Sequence, residues 1–109
     1  TILPKNSDMN ILGIESTAHT FGVGVVTEDE VLCSVKSMFE PESGGIHPRK
    51  AAEHHYQHAL EKLNEAKQKS VDFDELDAVA FSQGPGIPQC LDVGAVVARS
   101  LAQNTTYHF

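Results

Sequence analysis

The sequence predicts an α/β domain with the element order β-β-β-α-β-α. Three features predict it. Ile11-Leu12-Gly13-Ile14 is an unbroken apolar run, the pattern of a strand covered on both faces. From Pro48 onward, apolar residues recur at spacings of three and four, which gives a helix one buried stripe. Last, Gly84-Pro85-Gly86-Ile87-Pro88 separates a strand pattern from an apolar helix pattern.

The elements follow in order. Thr1–Asp8 is polar, carries Pro4 and stands before Met9, so residues 1–8 are expected to form a flexible N-terminal arm, with the domain over residues 9–109. After the first strand and Glu15-Ser16-Thr17, residues 20–27 read as a second strand. Glu28-Asp29-Glu30 is a charged turn, and residues 31–36 read as a third strand. Short connections make these three an antiparallel meander. Phe39–Ile46, with Pro41, Gly44 and Gly45, is a loop.

Pro48 suits a first helical turn, where its missing N–H costs nothing. The helix is expected to run to about Lys69, burying Ala52, His55, Tyr56, Ala59, Leu60, Leu63 and Ala66 and wetting Glu53, Gln57, Glu61, Lys62, Glu65 and Lys69. Residues 71–76 connect to a fourth strand over residues 77–83. The second helix, residues 90–102, is apolar nearly all round and should be covered by the sheet on one side and by another surface on the other. Gly94 lets something pack close to it. The chain ends where such a fold would add a further parallel strand.

With 109 residues, one modest domain is possible, burying roughly 65% of its unfolded surface. The net charge of −7 argues against an electrostatic grip on nucleic acid by this segment alone. No apolar run approaches the length needed to span a bilayer, and residues 1–10 lack the pattern of a secretory signal. Cys33 and Cys90 lie far apart in sequence and read as free, buried thiols of a reducing, cytoplasmic protein.

The glycine turn is the first candidate site. Glycine tolerates positive φ and close approach, and proline fixes φ. The N–H groups at the start of the following helix then face whatever lies above the sheet edge, a place suited to an anion or a polar backbone.

Three blocks together resemble one family. They are Ile11–Gly24, Gly44–His55 with its Gly45-Ile46-His47-Pro48-Arg49 core, and Ala80–Gly86 followed by Cys90-Leu91 and Val93–Ala102. They are similar to the N-terminal lobe of the TsaD family in its archaeal and eukaryotic form, the tRNA N6-adenosine threonylcarbamoyltransferases. The resemblance covers about Met9–Ala102. It implies an ASKHA fold, the actin-like ATPase and RNase H-like architecture, here as a truncated N-terminal lobe.

It also implies a function: transfer of a threonylcarbamoyl group from an adenylate to N6 of adenosine 37 of tRNA. In the family a divalent metal (iron or zinc) and ATP or threonylcarbamoyl-adenylate take part. The family's metal-binding His-x3-His segment lies beyond this sequence, so no catalytic or metal-binding residue is expected here, and the chain alone is expected to be inactive and to bind no cofactor. By the resemblance, Glu15, Ser16 and Thr17 form a phosphate-facing loop, with Gly84 and Gly86 beside it. A turn of hydroxyls and backbone N–H groups can face phosphate without a cationic side chain. The two helices are implied to meet KEOPS-type protein subunits, with tRNA engaged only in the full assembly. One alternative is a non-catalytic partner-binding module. Another is a different ASKHA member, such as a sugar or acetate kinase, which the His47-Pro48-Arg49-Lys50 block disfavours.

Two departures from the family pattern stand out. Pro88-Gln89 follows Ile87, and Asp92 stands where the family carries Arg before the Val-Gly step. An acidic residue near a helix start suits the dipole but repels phosphate.

His54 and His58 are spaced i, i+4, which would serve two ligands of one metal, with only Glu61 or His47 as a third. The better reading is that His54 and His55 pack and hydrogen-bond near the loop. Arg49 reads equally as a loop contact or as a solvated helix-start residue.

Overall fold

The computed structural model describes residues 9–41, Gly45 and residues 47–103. The expected arm over residues 1–8 lies outside them. The elements are β1 (Ile11–Glu15), β2 (Thr20–Val26), β3 (Val31–Met38), α1 (Pro48–Lys69), a 3-10 turn (Phe73–Glu75), β4 (Ala78–Phe81) and α2 (Pro88–Gln103). This is the β-β-β-α-β-α order expected from the sequence. The sheet has four strands in the order β3-β2-β1-β4. β1 and β2 pair antiparallel, as do β2 and β3, while β4 joins β1 in parallel. A parallel neighbour requires a crossover, and α1 supplies it.

Boundaries shift where pairing or capping outweighs hydropathy. β3 runs on to Met38 because it stays paired with β2 as far as Thr20. β4 is shorter than expected, yet its ladder continues at both ends: Asp77 N–H donates to the Asn10 carbonyl (2.8 Å) and Ser82 N–H to the Ile14 carbonyl (3.0 Å). α2 begins two residues before the apolar pattern because Pro88 presets the first turn, and Leu91 N–H closes on the Ile87 carbonyl at 2.9 Å. α1 starts the same way, with Pro48 at its first turn and Ala51 N–H on the His47 carbonyl at 3.0 Å.

Both helices lie on one face of the sheet. Leu12, Ile14, Phe21, Val23, Val25, Cys33, Val35 and Val79 from the strands meet Ala59, Leu63, Ala66, Val93 and Ala98 from the helices. On the other face, paired strand positions bring Ala80, Gly13, Gly24 and Ser34 into one row of small residues across the sheet. Gly13, Gly24, Ser34 and their neighbours Glu15, Gly22 and Lys36 line a shallow trough of about 220 Å³.

The buried stripe of α1 is narrower than its periodicity suggested. It comprises Ala51, His55, Ala59, Leu63 and Ala66. Tyr56 and Leu60, expected inside, are 51% and 69% exposed because among the described residues no element covers that flank. The wet face is also less uniform than expected, since Lys62 is largely covered and sits 3.0 Å from Glu65, which Lys69 also meets at 3.2 Å. α2 is covered by the sheet and flanked by α1, but Val96 is 46% exposed, so the second covering surface expected for it is missing among the described residues. Tyr56, Ala59, Leu60, Leu63, Val96 and Val97 border an apolar groove of about 340 Å³ along the α1–α2 seam. No described helix is long and apolar enough to cross a membrane.

Candidate functional site

The β1–β2 loop, Ser16 to His19, is held residue by residue, each time by a different part of the fold. Ser16 N–H donates to Ser82 Oγ beyond β4 (3.1 Å), and the buried Ser16 hydroxyl accepts from Gly94 N–H of α2 (3.1 Å). The Thr17 carbonyl accepts from Ile87 N–H at the end of the glycine turn (2.7 Å). The Ala18 carbonyl faces His55 Nε2 of α1 at 2.7 Å. The His19 carbonyl accepts from Phe39 N–H just past β3, also at 2.7 Å.

This arrangement has a stereochemical consequence. In a trans peptide the C=O and the next N–H point opposite ways. With the Thr17 and Ala18 carbonyls bonded into the fold, the N–H groups of Ala18 and His19 point away from those partners. Neither has a hydrogen-bond partner among the described residues. Backbone N–H groups left free on a fixed loop are available to an acceptor such as an anion.

The glycine turn is fitted to this loop. A Cβ on Gly86 would lie 2.6 Å from the Thr17 carbonyl oxygen, and one on Gly94 would collide with Ser16 Oγ. Gly84 has φ +144°, a conformation that side chains resist, and precedes Pro85 through a cis bond. Of the five residues expected to face a ligand, Glu15 at the end of β1, Gly84 and Gly86 are exposed, as is Pro85. Thr17 is half-buried against Gly86, and Glu15 borders the trough on the open face of the sheet. Ser16 is buried, with its hydroxyl engaged inside the fold.

The histidines lie directly behind the loop. His54 Nε2 is 3.0 Å from Ser37 Oγ, His54 Nδ1 is 3.0 Å from His55 Nδ1, and the His58 ring centroid is 4.5 Å from that of His54. Both His54 nitrogens are thus engaged and neither is left for a metal. Among the described residues no three His, Cys, Asp or Glu side chains converge as a metal site. The donor set does not fit the family's metal, and no metal-dependent step is assigned to these residues. Burial, then the neighbouring His58 and His55, lower the His54 pKa. Burial also lowers that of His55, opposed by the Ala18 carbonyl and Glu15.

Of the remaining candidates, Arg49 is solvated and pairs with Glu53 at 3.6 Å, and Asp92 is exposed on the second turn of α2. Cys33 and Cys90 are free and buried, and burial pushes the Cys90 thiol up.

Sequence reasoning missed Ser82 and Phe39 as loop anchors. Ser82 is one of two polar residues, with Gln83, between the apolar run and the glycine turn, and Phe39 acts through its backbone, so neither carries a distinctive side-chain signal. Gly94 did carry one, and what packs close to it is Ser16.

A three-strand meander followed by a crossover helix, a parallel strand and a second helix is the order of an ASKHA-type lobe. Two solved structures from Pseudomonas aeruginosa share the fold. A protein described as having similarity to peptidase YEAZ gives a TM-score of 0.69 at 20% identity, over 88% of this chain and 39% of that one. YeaZ gives 0.68 at 19% identity, over 87% of this chain and 40% of that one.

The family model for TsaD, tRNA N6-adenosine threonylcarbamoyltransferase, matches residues 30–108, and the chain belongs to that family. Similar relatives include the tRNA N6-adenosine threonylcarbamoyltransferases of Caldivirga maquilingensis (54% identity) and Thermofilum pendens (51%), each matched over 86% of this chain. Another is a probable bifunctional tRNA threonylcarbamoyladenosine biosynthesis protein of Methanosarcina mazei, at 47% identity over 84% of this chain and 17% of its own length. The chain spans about 29% of the length of the first two relatives.

Proposed function

We propose that this chain forms the phosphate-facing part of the N-terminal lobe of a tRNA N6-adenosine threonylcarbamoyltransferase, an enzyme that moves a threonylcarbamoyl group from an adenylate to N6 of adenosine 37. The observation that carries this reading is the pair of unpaired N–H groups, Ala18 and His19, on a loop anchored at four successive residues. That geometry suits the phosphate of ATP or of threonylcarbamoyl-adenylate. Gly86 packs on the Thr17 carbonyl, on the side opposite the Ala18 N–H, so Thr17, Gly84 and Gly86 flank the loop, and Ser16 holds the loop against α2. The adenylate supplies the activated carbonyl, and the rest of a full-length enzyme supplies the metal and the second lobe. The site works in a reducing cytoplasm, where Cys33 and Cys90 stay free.

A chimera tests this. Residues 9–103 replace the matching segment of the Caldivirga maquilingensis relative, and modified adenosine is measured by nucleoside chromatography after incubation with tRNA and threonylcarbamoyl-adenylate. The chimera should modify tRNA, and the 109-residue chain alone should not. A folded chimera without product refutes the reading.

A second observation concerns partners. The apolar α1–α2 groove, with Tyr56, Leu60 and Val96 exposed, suits a protein surface. The occupant we favour is the small dimerising KEOPS-type subunit, with tRNA joining only the complete assembly.

A further inference from the structure

We propose that His55 is the positioning residue of the β1–β2 loop, acting at the end of a hydrogen-bond chain with one direction: Ser37 hydroxyl to His54, His54 to His55, and His55 to the Ala18 carbonyl. This deepens the functional reading above, because the loop it holds is the one assigned to phosphate.

The direction follows from the last acceptor. A carbonyl only accepts, so His55 Nε2 carries the proton across the 2.7 Å contact to Ala18. In a neutral ring the other nitrogen is then bare, so His55 Nδ1 accepts. Its partner at 3.0 Å, His54 Nδ1, must be the donor. His54 Nε2 is bare in turn and accepts the Ser37 hydroxyl proton at 3.0 Å. Adjacent histidines are thereby fixed as opposite tautomers.

Packing holds the rings in place. Phe21 of β2 lies 6.0 Å from the His55 centroid, and Phe39 lies 5.6 Å from that of His54. His55 is fully buried. The charged and titratable groups facing the pair are Glu15 at the end of β1, and His58, with Glu61 behind it, on α1. Burial keeps both imidazoles neutral at physiological pH. That is the state the chain needs, because two added protons would set N–H against N–H at the His54–His55 contact.

The chain has one output. It draws the Ala18 carbonyl inward, which turns the His19 N–H outward. His55 therefore sets the orientation of a ligand-facing donor without touching the ligand.

Ring-nitrogen NMR of the full 109-residue chain labelled with 15N-histidine at neutral pH reads the tautomers. The same labels are read in the grafted relative. The expected result is the Nε2–H form for His55 and the Nδ1–H form for His54. The same tautomer at both positions, or a charged ring at either, overturns the proposal.

Two variants test positioning. Glutamine can place an amide N–H where Nε2 sits, so His55→Gln should leave the Ala18 and His19 amide signals near their parent positions. His55→Phe should shift both and, in the chimera, weaken nucleotide binding roughly tenfold. Equal behaviour of the two variants overturns positioning. If either fails to fold, the parent tautomers still decide the hydrogen-bond chain. A parent chimera that binds no nucleotide sinks the functional reading but leaves the tautomer result standing.

Discussion

The β1–β2 loop edge and the α1–α2 seam are built on opposite plans. At the edge, four successive residues are tied to β4, α2, the glycine turn, α1 and the end of β3, and the groups left over are two backbone N–H donors. At the seam, side chains set the surface: Leu63 is buried, while Leu60 and Tyr56, on the adjoining flank of the same helix, face outward above an apolar groove. In the reading proposed above, the edge would hold a small anion by fixed dipoles and the seam a protein partner by exposed apolar area, on separate parts of the fold.

The largest effect expected of the comparison lies beneath the seam. Leu63→Ala should cost about 2–5 kcal/mol in urea unfolding, because a buried leucine leaves a cavity. Gly86→Ala should cost about 1–3 kcal/mol, since its methyl meets the backbone oxygen of Thr17 rather than a movable side chain. A cost near zero would show that the edge is looser than described. Ser16→Ala should cost about 1 kcal/mol through the lost bond to Gly94 N–H.

Acid should loosen the edge before the seam. His54 and His55 have folded pKa values below the ordinary value of about 6.5. The unfolded chain therefore takes up protons first as pH falls. Their contribution to stability is present above about pH 6.5 and is lost as pH drops toward the lowered folded values. Thermal melts of the parent and of His54→Gln across that window read the difference, and the variant should have the flatter profile. The smallest effect is Leu60→Ser, which should change stability by no more than about 0.5 kcal/mol yet weaken capture of a partner subunit in a pull-down.

Much of this plan was legible in the sequence. The element order followed from apolar runs, helical spacing and prolines at helix starts, because those patterns reflect burial directly. The glycine turn was legible because Gly84 and Gly86 answer backbone constraints that only glycine meets. Side-chain cover was less legible. Periodicity placed Tyr56 and Leu60 inside because a helix stripe shows which residues share a face, not whether anything lies against it. The loop anchors were hidden for another reason: Ile87, Phe39 and Gly94 act through backbone N–H groups, which every sequence has. Ser16 was legible as part of the loop, but not as buried with its hydroxyl turned to α2.

Amide chemical-shift mapping of the 15N-labelled chimera titrated with ATP tests the central claim most directly. The account predicts shifts concentrated at Ala18, His19, Gly84 and Gly86, with Tyr56 and Leu60 unmoved. Binding that shifts the α1–α2 seam and leaves Ala18 and His19 in place would contradict it.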